Sequence, residues 1–291
     1  MIKANNKKIK LLLAITVIAA LALGVFRAYL LLNFVEPDTG FYIKGTGMGT
    51  LFGILFALII ALVLCAGFSV RRIKAPEFLD SGSTAVVFSS ALCAFLYISV
   101  FIYSFYVIAT GLGDTAGIAG ISFLARLVHA APGVTGNGLL LCIEALLCLP
   151  CAVNHLSKCS KEVREKNTAN GLLSMAPALF FAVRIIEVFM NTKNQINVSQ
   201  RSIELVMLCS MMLFFLFEAG FSVNTAEGPY NKTVSKYFAA GLATIALPCI
   251  VVLPYLAVSA FWLFEANFIA MDVLECCMVL FAASRLLTLH D

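Results

Sequence analysis

Eight stretches of this chain stay apolar for longer than a helix in a soluble domain requires, and that restricts its fold more than any other feature. They fall at about 11–33, 48–70, 85–109, 134–154, 170–190, 200–223, 238–262 and 267–288. Crossing ~30 Å of hydrocarbon takes roughly 20 helical residues at about 1.5 Å each. Eight such spans use most of the 291 residues and leave only termini and short connections. The chain is 61% hydrophobic and 12% charged, too little charge to cover a water-facing surface. A closed β-barrel also satisfies the backbone in lipid, but it needs period-2 alternation, and these runs are continuously apolar. The expectation is an all-α, polytopic transmembrane bundle of about eight spans.

Turn-forming residues separate the runs. Pro37-Asp38-Thr39-Gly40 breaks the first connection, Arg71-Arg72-Ile73-Lys74-Ala75-Pro76 the second, and Gly111-Leu112-Gly113-Asp114 the third. Basic connections stay on the cytoplasmic side. With the N-terminus inside, the inner segments hold Lys3, Lys7, Lys8, Lys10, Arg71, Arg72 and Lys74, then Lys158, Lys161, Arg164, Lys166, Lys232, Lys236 and Arg285. The outer segments hold only Lys44, Arg126, Lys193 and Arg201, with Arg27 near an outer helix end. Both termini are therefore expected in the cytoplasm. Residues 114–131 are apolar but short, Gly-rich and interrupted by Arg126 and His129. Counting them as a ninth span would expel the basic stretch Lys158 to Lys166, so they read as an outer-surface or re-entrant helix. Lys7-Lys8-Ile9-Lys10 before an apolar run resembles a signal peptide, yet the run continues past Arg27 to Phe34, which favours an uncleaved first span.

The chain also carries signs of duplication. Ala66-Gly67-Phe68-Ser69-Val70 closes the second span, and the identical Ala219-Gly220-Phe221-Ser222-Val223 closes the sixth. Phe26-Arg27 and Val183-Arg184 take comparable places in spans one and five, as do Ile143-Glu144 and Leu274-Glu275 in spans four and eight. Two parallel four-helix halves fit these matches: 1–155, with 114–131 as an insertion, and 170–291, joined by a basic cytoplasmic linker at 156–169. Coincidence in a chain rich in Ala, Phe and Val is the competing explanation.

Charges within spans are the most informative residues, because each costs about 2.5–3.5 kcal/mol at the centre unless paired or wetted. They are Arg27, Glu144, Arg184, Glu187, Glu204, Glu218, Asp272, Glu275 and Arg285. All but Glu218 and Arg285 lie midway or in the outer half of this threading. Arg184 and Glu187, three apart, share a helix face and can pair. Five acids against Arg27 and Arg184 leave a negative excess suited to a cation, an amine or a proton relay. The plain alternative is a set of interhelical salt bridges and snorkelling end residues, with Glu204 and Arg285 as candidates for the latter.

Prolines interrupt span seven at Pro248 and Pro254 and are expected to kink spans four and five at Pro150 and Pro177. Gly49 and Gly53, and Gly113 and Gly117, have the spacing of close helix packing. Cys148-Leu149-Pro150-Cys151 has the spacing of dithiol redox centres, and His155 and Cys159 extend the stripe. A straight helix puts its ends about 16 Å apart, too far to share one metal ion. No metal or cofactor is implied, and the ten cysteines read as free thiols of apolar helices. There is no H-E-x-x-H, no P-loop, no G-x-S-x-G and no kinase signature. Nucleic acid is not an expected partner, because the basic residues flank membrane spans.

The Arg27 helix followed by Asp38-Thr39-Gly40-Phe41-Tyr42, and Ala176-Pro177-Ala178-Leu179-Phe180 leading to Arg184-Ile185-Ile186 with Glu204-Leu205 beyond, resemble segments of bacterial multi-pass membrane proteins with no assigned activity. The likeness covers the first, fifth and sixth spans and implies a bacterial cytoplasmic membrane. The leading expectation is a small transporter-like or permease-like protein with an outward-facing site built from Arg27, Glu144, Arg184, Glu187, Asp272 and Glu275. Its partners would be lipid and a small-molecule or cation substrate. The alternatives are a non-catalytic subunit, sensor or scaffold bound to a partner protein, and an intramembrane redox enzyme using Cys148 and Cys151.

Overall fold

Backbone polar groups in a chain this apolar must be satisfied within each segment, and helices are the outcome. The computed structural model describes residues 2–35, 42–43, 45–70, 83–115, 128, 137–160, 171–190, 198–223, 231–259 and 269–290. Eight main helices run through them: α1 (Ile2–Asn33), α2 (Met48–Val70), α3 (Thr84–Thr115), α4 (Gly138–Ser157), α5 (Ala176–Met190), α6 (Val198–Val223), α7 (Asn231–Ser259) and α8 (Ile269–Leu287). A single turn, Gly171–Ser174, precedes α5, and a 3₁₀ turn, Thr288–His290, follows α8. Among the described residues the only extended pairing is one bridge between Val35 and Tyr42.

Six helices, α1, α2, α3, α4, α6 and α7, are long and apolar enough to cross a membrane, the architecture of an integral membrane protein. The other two fall short, α5 by its length and α8 by its three charges. The 15-residue α5 carries Arg184 and Glu187, and the 19-residue α8 carries Asp272, Glu275 and Arg285. Large apolar side chains such as Ile18, Val25, Phe68, Phe88 and Phe95 are exposed on α1, α2 and α3, a liability in water that acyl chains remove.

Helices α3 to α8 form a closed ring: each packs on the next, and α8 packs back on α3. Helices α1 and α2 lie against the outside of α7, the most enclosed of the six long apolar helices. Two close approaches set that arrangement. A Cβ on Gly24 would stand 2.3 Å from the carbonyl oxygen of Cys249, and one on Gly67 would stand 2.6 Å from the Ala239 methyl. The expected Gly49–Gly53 packing face is not used between helices. Gly53 faces open space, and Gly49 makes room for the Tyr42 ring. Gly117 lies outside the described residues. Gly220, the counterpart of Gly67 in the repeated pentapeptide, has nothing within 4 Å of where its Cβ would be.

Several hydrogen bonds show which helix ends lie together. Lys8 Nζ donates to the Ser69 carbonyl at 3.0 Å, the Ser235 hydroxyl donates to the Gly67 carbonyl at 2.7 Å, and the Ser89 and Ser284 hydroxyls meet at 2.9 Å. The starts of α1, α3 and α7 and the ends of α2 and α8 therefore share one end of the bundle, termed basal. The C-terminal 3₁₀ turn also packs on α1 there. The opposite end is termed distal.

Every ring helix contributes a ring side chain to the interior. Tyr97 of α3 stacks on His155 of α4 at 5.7 Å, and His155 meets Phe281 of α8 edge-on at 4.8 Å. Phe215 of α6 stacks between Phe181 of α5 at 5.7 Å and Phe281 at 5.8 Å, while Phe214 stacks on Tyr237 of α7 at 5.2 Å. Offset and edge contacts of this kind hold about 0.5–1.5 kcal/mol each beyond their area. They close the ring's axis between two groups of charged residues.

Candidate functional site

The distal group begins with α4. Asn137 caps that helix, its side-chain oxygen accepting from the backbone N–H groups of Leu139 at 3.1 Å and Leu140 at 3.4 Å. Glu144 follows two turns on and points into the ring, fully buried. On α5, Arg184 pairs with Glu187 one turn further along. Arg184 Nε also lies 4.0 Å from Glu275 Oε1 on α8. Glu144 sits within electrostatic reach of Glu187, Arg184 and Glu275. Neither oxygen of Glu144 meets a hydrogen-bond donor. Four of the six expected site residues thus come from three helices to one buried place.

Asp272, one turn from Glu275, lies at the edge of this group and feels Arg184 and Glu204. Arg27 stands apart from the carboxylate pair. It reaches from α1 to α7, where Nη1 donates to the Ile250 carbonyl at 3.0 Å and the guanidinium lies 5.4 Å over the Phe52 ring. Its electrostatic neighbours are Tyr42, Tyr255 and Glu204. Tyr42 belongs to the α1–α2 connection, outside the spans. Burial raises its phenol above the ordinary tyrosine range, and Arg27 pulls it partly back. Glu204 is half-buried between Arg184 and Arg27 and so links the two arginines, rather than snorkelling away from them.

The chemistry open to this group follows from its imbalance. One arginine, Arg184, pairs with Glu187 and faces Glu275 at 4.0 Å without a hydrogen bond, while Glu144 stands beside Glu187 without a donor. Two adjacent carboxyl groups can hydrogen-bond to each other only when one carries a proton. A buried carboxylate without a partner is costly, so the place suits a proton or a small cation.

A basal group went unrecognised in the sequence. Glu218 of α6 accepts from Arg285 of α8, through Nε at 2.7 Å and Nη2 at 2.5 Å, and from Lys158 Nζ just beyond α4 at 3.2 Å. Its other oxygen accepts from the Tyr237 hydroxyl of α7 at 2.5 Å. Arg285, read from sequence as a candidate for snorkelling, is buried here because Glu218 supplies the counter-charge that water would otherwise provide. Burial lowers the Lys158 ammonium below the ordinary lysine range, and Glu218 raises it partly back. The signal available in sequence was that Glu218 and Arg285 are both inner-half charges of opposite sign; their distance of 67 residues hid the pairing.

Cys148 and Cys151 are buried free thiols on α4, which runs unbroken through Pro150. The break that a shared redox or metal centre would require is absent, since a helix tolerates one missing N–H where neighbours support it. Span five is interrupted beside Pro177: the Gly171–Ser174 turn ends there and α5 begins at Ala176, which puts the proline in the first turn, where no N–H is needed. Among the described residues no three His, Cys, Asp or Glu side chains converge to hold a metal ion. Set beside protein-family models, curated proteins and solved structures, the chain matches none of them.

Proposed function

We propose that this chain is a transporter-like protein of a bacterial cytoplasmic membrane in which the Glu144–Arg184–Glu187–Glu275 group binds a proton or small cation. The observation that carries the reading is Glu144: a fully buried carboxyl group, without a donor, beside the Arg184–Glu187 pair. Helices α5 and α8 complete eight spans by lining the ring, where neighbouring helices rather than lipid face their charges. The basal end carries exposed Lys7, Lys8, Lys10 and Lys236 together with Lys158 and Arg285, which supports a cytoplasmic location for that end and for both termini. The distal carboxyl group then faces the outside.

The test is flux in proteoliposomes. Glu144→Gln, Glu187→Gln and Glu275→Gln are compared with wild type for uptake of protons and of sodium or potassium under an imposed gradient. At least one of the three is expected to abolish the flux. If all three variants carry the same flux as wild type, the assignment falls.

A non-catalytic subunit or scaffold is the second reading, favoured by the Glu218–Arg285–Lys158–Tyr237 group. There one carboxylate accepts from three side chains of three other segments, two of them cations, an arrangement that binds helices together. It expects charge removal to lower stability and a partner protein to co-purify.

A further inference from the structure

One face of α4 joins the two charged groups. Glu144, Cys148, Cys151, His155 and Lys158 follow one another at alternating spacings of four and three, the repeat of a single helical face. The first four are fully buried, and the stripe covers about 21 Å along the axis. Neighbouring contacts make it continuous: Cys148 lies by Glu144, Cys151 lies by Cys148 and by Tyr97, and Tyr97 stacks on His155 at 5.7 Å.

His155 is the exceptional member. It is completely buried, and neither Nδ1 nor Nε2 has a hydrogen-bond partner. A buried imidazole almost always satisfies at least one nitrogen, so a polar group left in this state calls for an explanation. The groups around it are Tyr97 from α3, Phe215 and Glu218 from α6, Phe281 and Arg285 from α8, and Lys158 one turn along its own helix.

We infer that His155 is a proton-binding station between the distal carboxyl group, about 16 Å away, and the basal end of the ring one turn beyond it. The inference rests on reading the Glu144 group as a proton or cation site. His155 is the remaining group on this face that can take up a proton at one atom and release it from another. The transfer balances without an oxidant: an O–H bond of the Glu144–Glu187 pair breaks and an N–H bond forms on one ring nitrogen. The N–H on the other nitrogen then breaks, and the proton leaves past Lys158. The interval of about 16 Å between Glu144 and His155 is too long for a direct hop, so the proton passes through the Cys148 and Cys151 thiols and the Tyr97 hydroxyl, each giving up its own proton to the next group as it takes one. The rings of Tyr97, Phe215 and Phe281 surround the imidazole and hold it away from any partner.

The experiment is proton uptake by proteoliposomes of the full chain, read with an entrapped pH-sensitive dye under a potassium diffusion potential. Wild type, Glu144→Gln and His155→Gln are compared, each confirmed monodisperse. His155→Gln is expected to slow uptake at least about tenfold, as loss of an acid–base group does. If Glu144→Gln stops uptake while His155→Gln runs at the wild-type rate, the station is overturned and the carboxyl site stands. If wild type carries no protons, or neither variant alters uptake, the station is likewise overturned, and the cation fluxes of the Gln variants then decide the carboxyl site separately. A second measurement does not depend on the folding of His155→Gln. The chain has three histidines, so ¹⁵N-histidine labelling of a His129→Gln/His290→Gln variant leaves one imidazole signal in bilayers. That signal is expected to change from neutral to imidazolium on acidification, and to do so less readily in Glu144→Gln. A signal that stays neutral wherever wild type carries protons overturns the inference.

Discussion

The guanidinium of Arg27 donates to the main-chain carbonyl of Ile250, the carbonyl that Pro254 leaves without a helical donor. An α-helical N–H bonds the carbonyl four residues back, and proline has no N–H to give. Arg27 fills that position from another helix, and Gly24, one turn earlier on the same face of α1, allows the backbones to approach closely enough for it. A costly charge in a span and a costly proline in another thereby cancel. The arrangement gives Arg27 a role in α7 that its expected place among the site residues did not include.

Replacing Pro254 with alanine restores the N–H, so Arg27 and Pro254 are coupled. Arg27→Met is expected to cost about 1–3 kcal/mol in wild type, the cost of a buried acceptor left unmade, and distinctly less in a Pro254→Ala background. Reversible unfolding in mixed detergent micelles measures the cycle. Equal costs in both backgrounds would remove the pairing.

Glycine substitutions separate close packing from mere spacing. Gly24→Ala drives a methyl group into the Cys249 carbonyl and is expected to destabilise by about 1–3 kcal/mol, as overpacking does. Gly53→Ala, which meets nothing within 4 Å, is expected to be neutral or slightly stabilising through helix propensity. Thermal unfolding of the two purified variants decides the matter, and comparable losses would contradict the close contact at Gly24.

The basal group predicts strong asymmetry between single and paired changes. Glu218→Gln leaves Arg285 and Lys158 buried without their shared counter-charge and is expected to cost about 3–5 kcal/mol, more than Arg285→Met, after which Lys158 still faces Glu218. Combining the two changes should cost less than the sum of the single ones, with a coupling of about 0.5–3 kcal/mol. A double variant as unstable as the sum of the single ones would mean the pair does not act as a unit.

Cysteine chemistry offers a separate check. Cys148 and Cys151, both buried on the ring face of α4, are expected to resist a water-soluble maleimide in folded protein and to react fully after denaturation. Mass spectrometry of the labelled chain reads the result. Fast labelling of either thiol, with a change between oxidising and reducing conditions, would instead favour the redox alternative.

The helical class, the positions of the long apolar segments and the residues too costly to face lipid were all legible from composition and run length, because the bilayer imposes one requirement on every segment. Arg184 and Glu187 were legible as a pair because helix geometry relates residues three apart. What required the tertiary structure was every relation across distance in the chain. Glu144 meets Glu187 and Glu275, Glu218 meets Arg285, and Arg27 meets the carbonyl freed by Pro254, only because six helices close a ring and a seventh is held against it. Local pattern measures the cost of burying a charge. Which partner offsets that cost depends on how helices pack, and side-chain volume and backbone approach at residues such as Gly24 decide that packing in three dimensions.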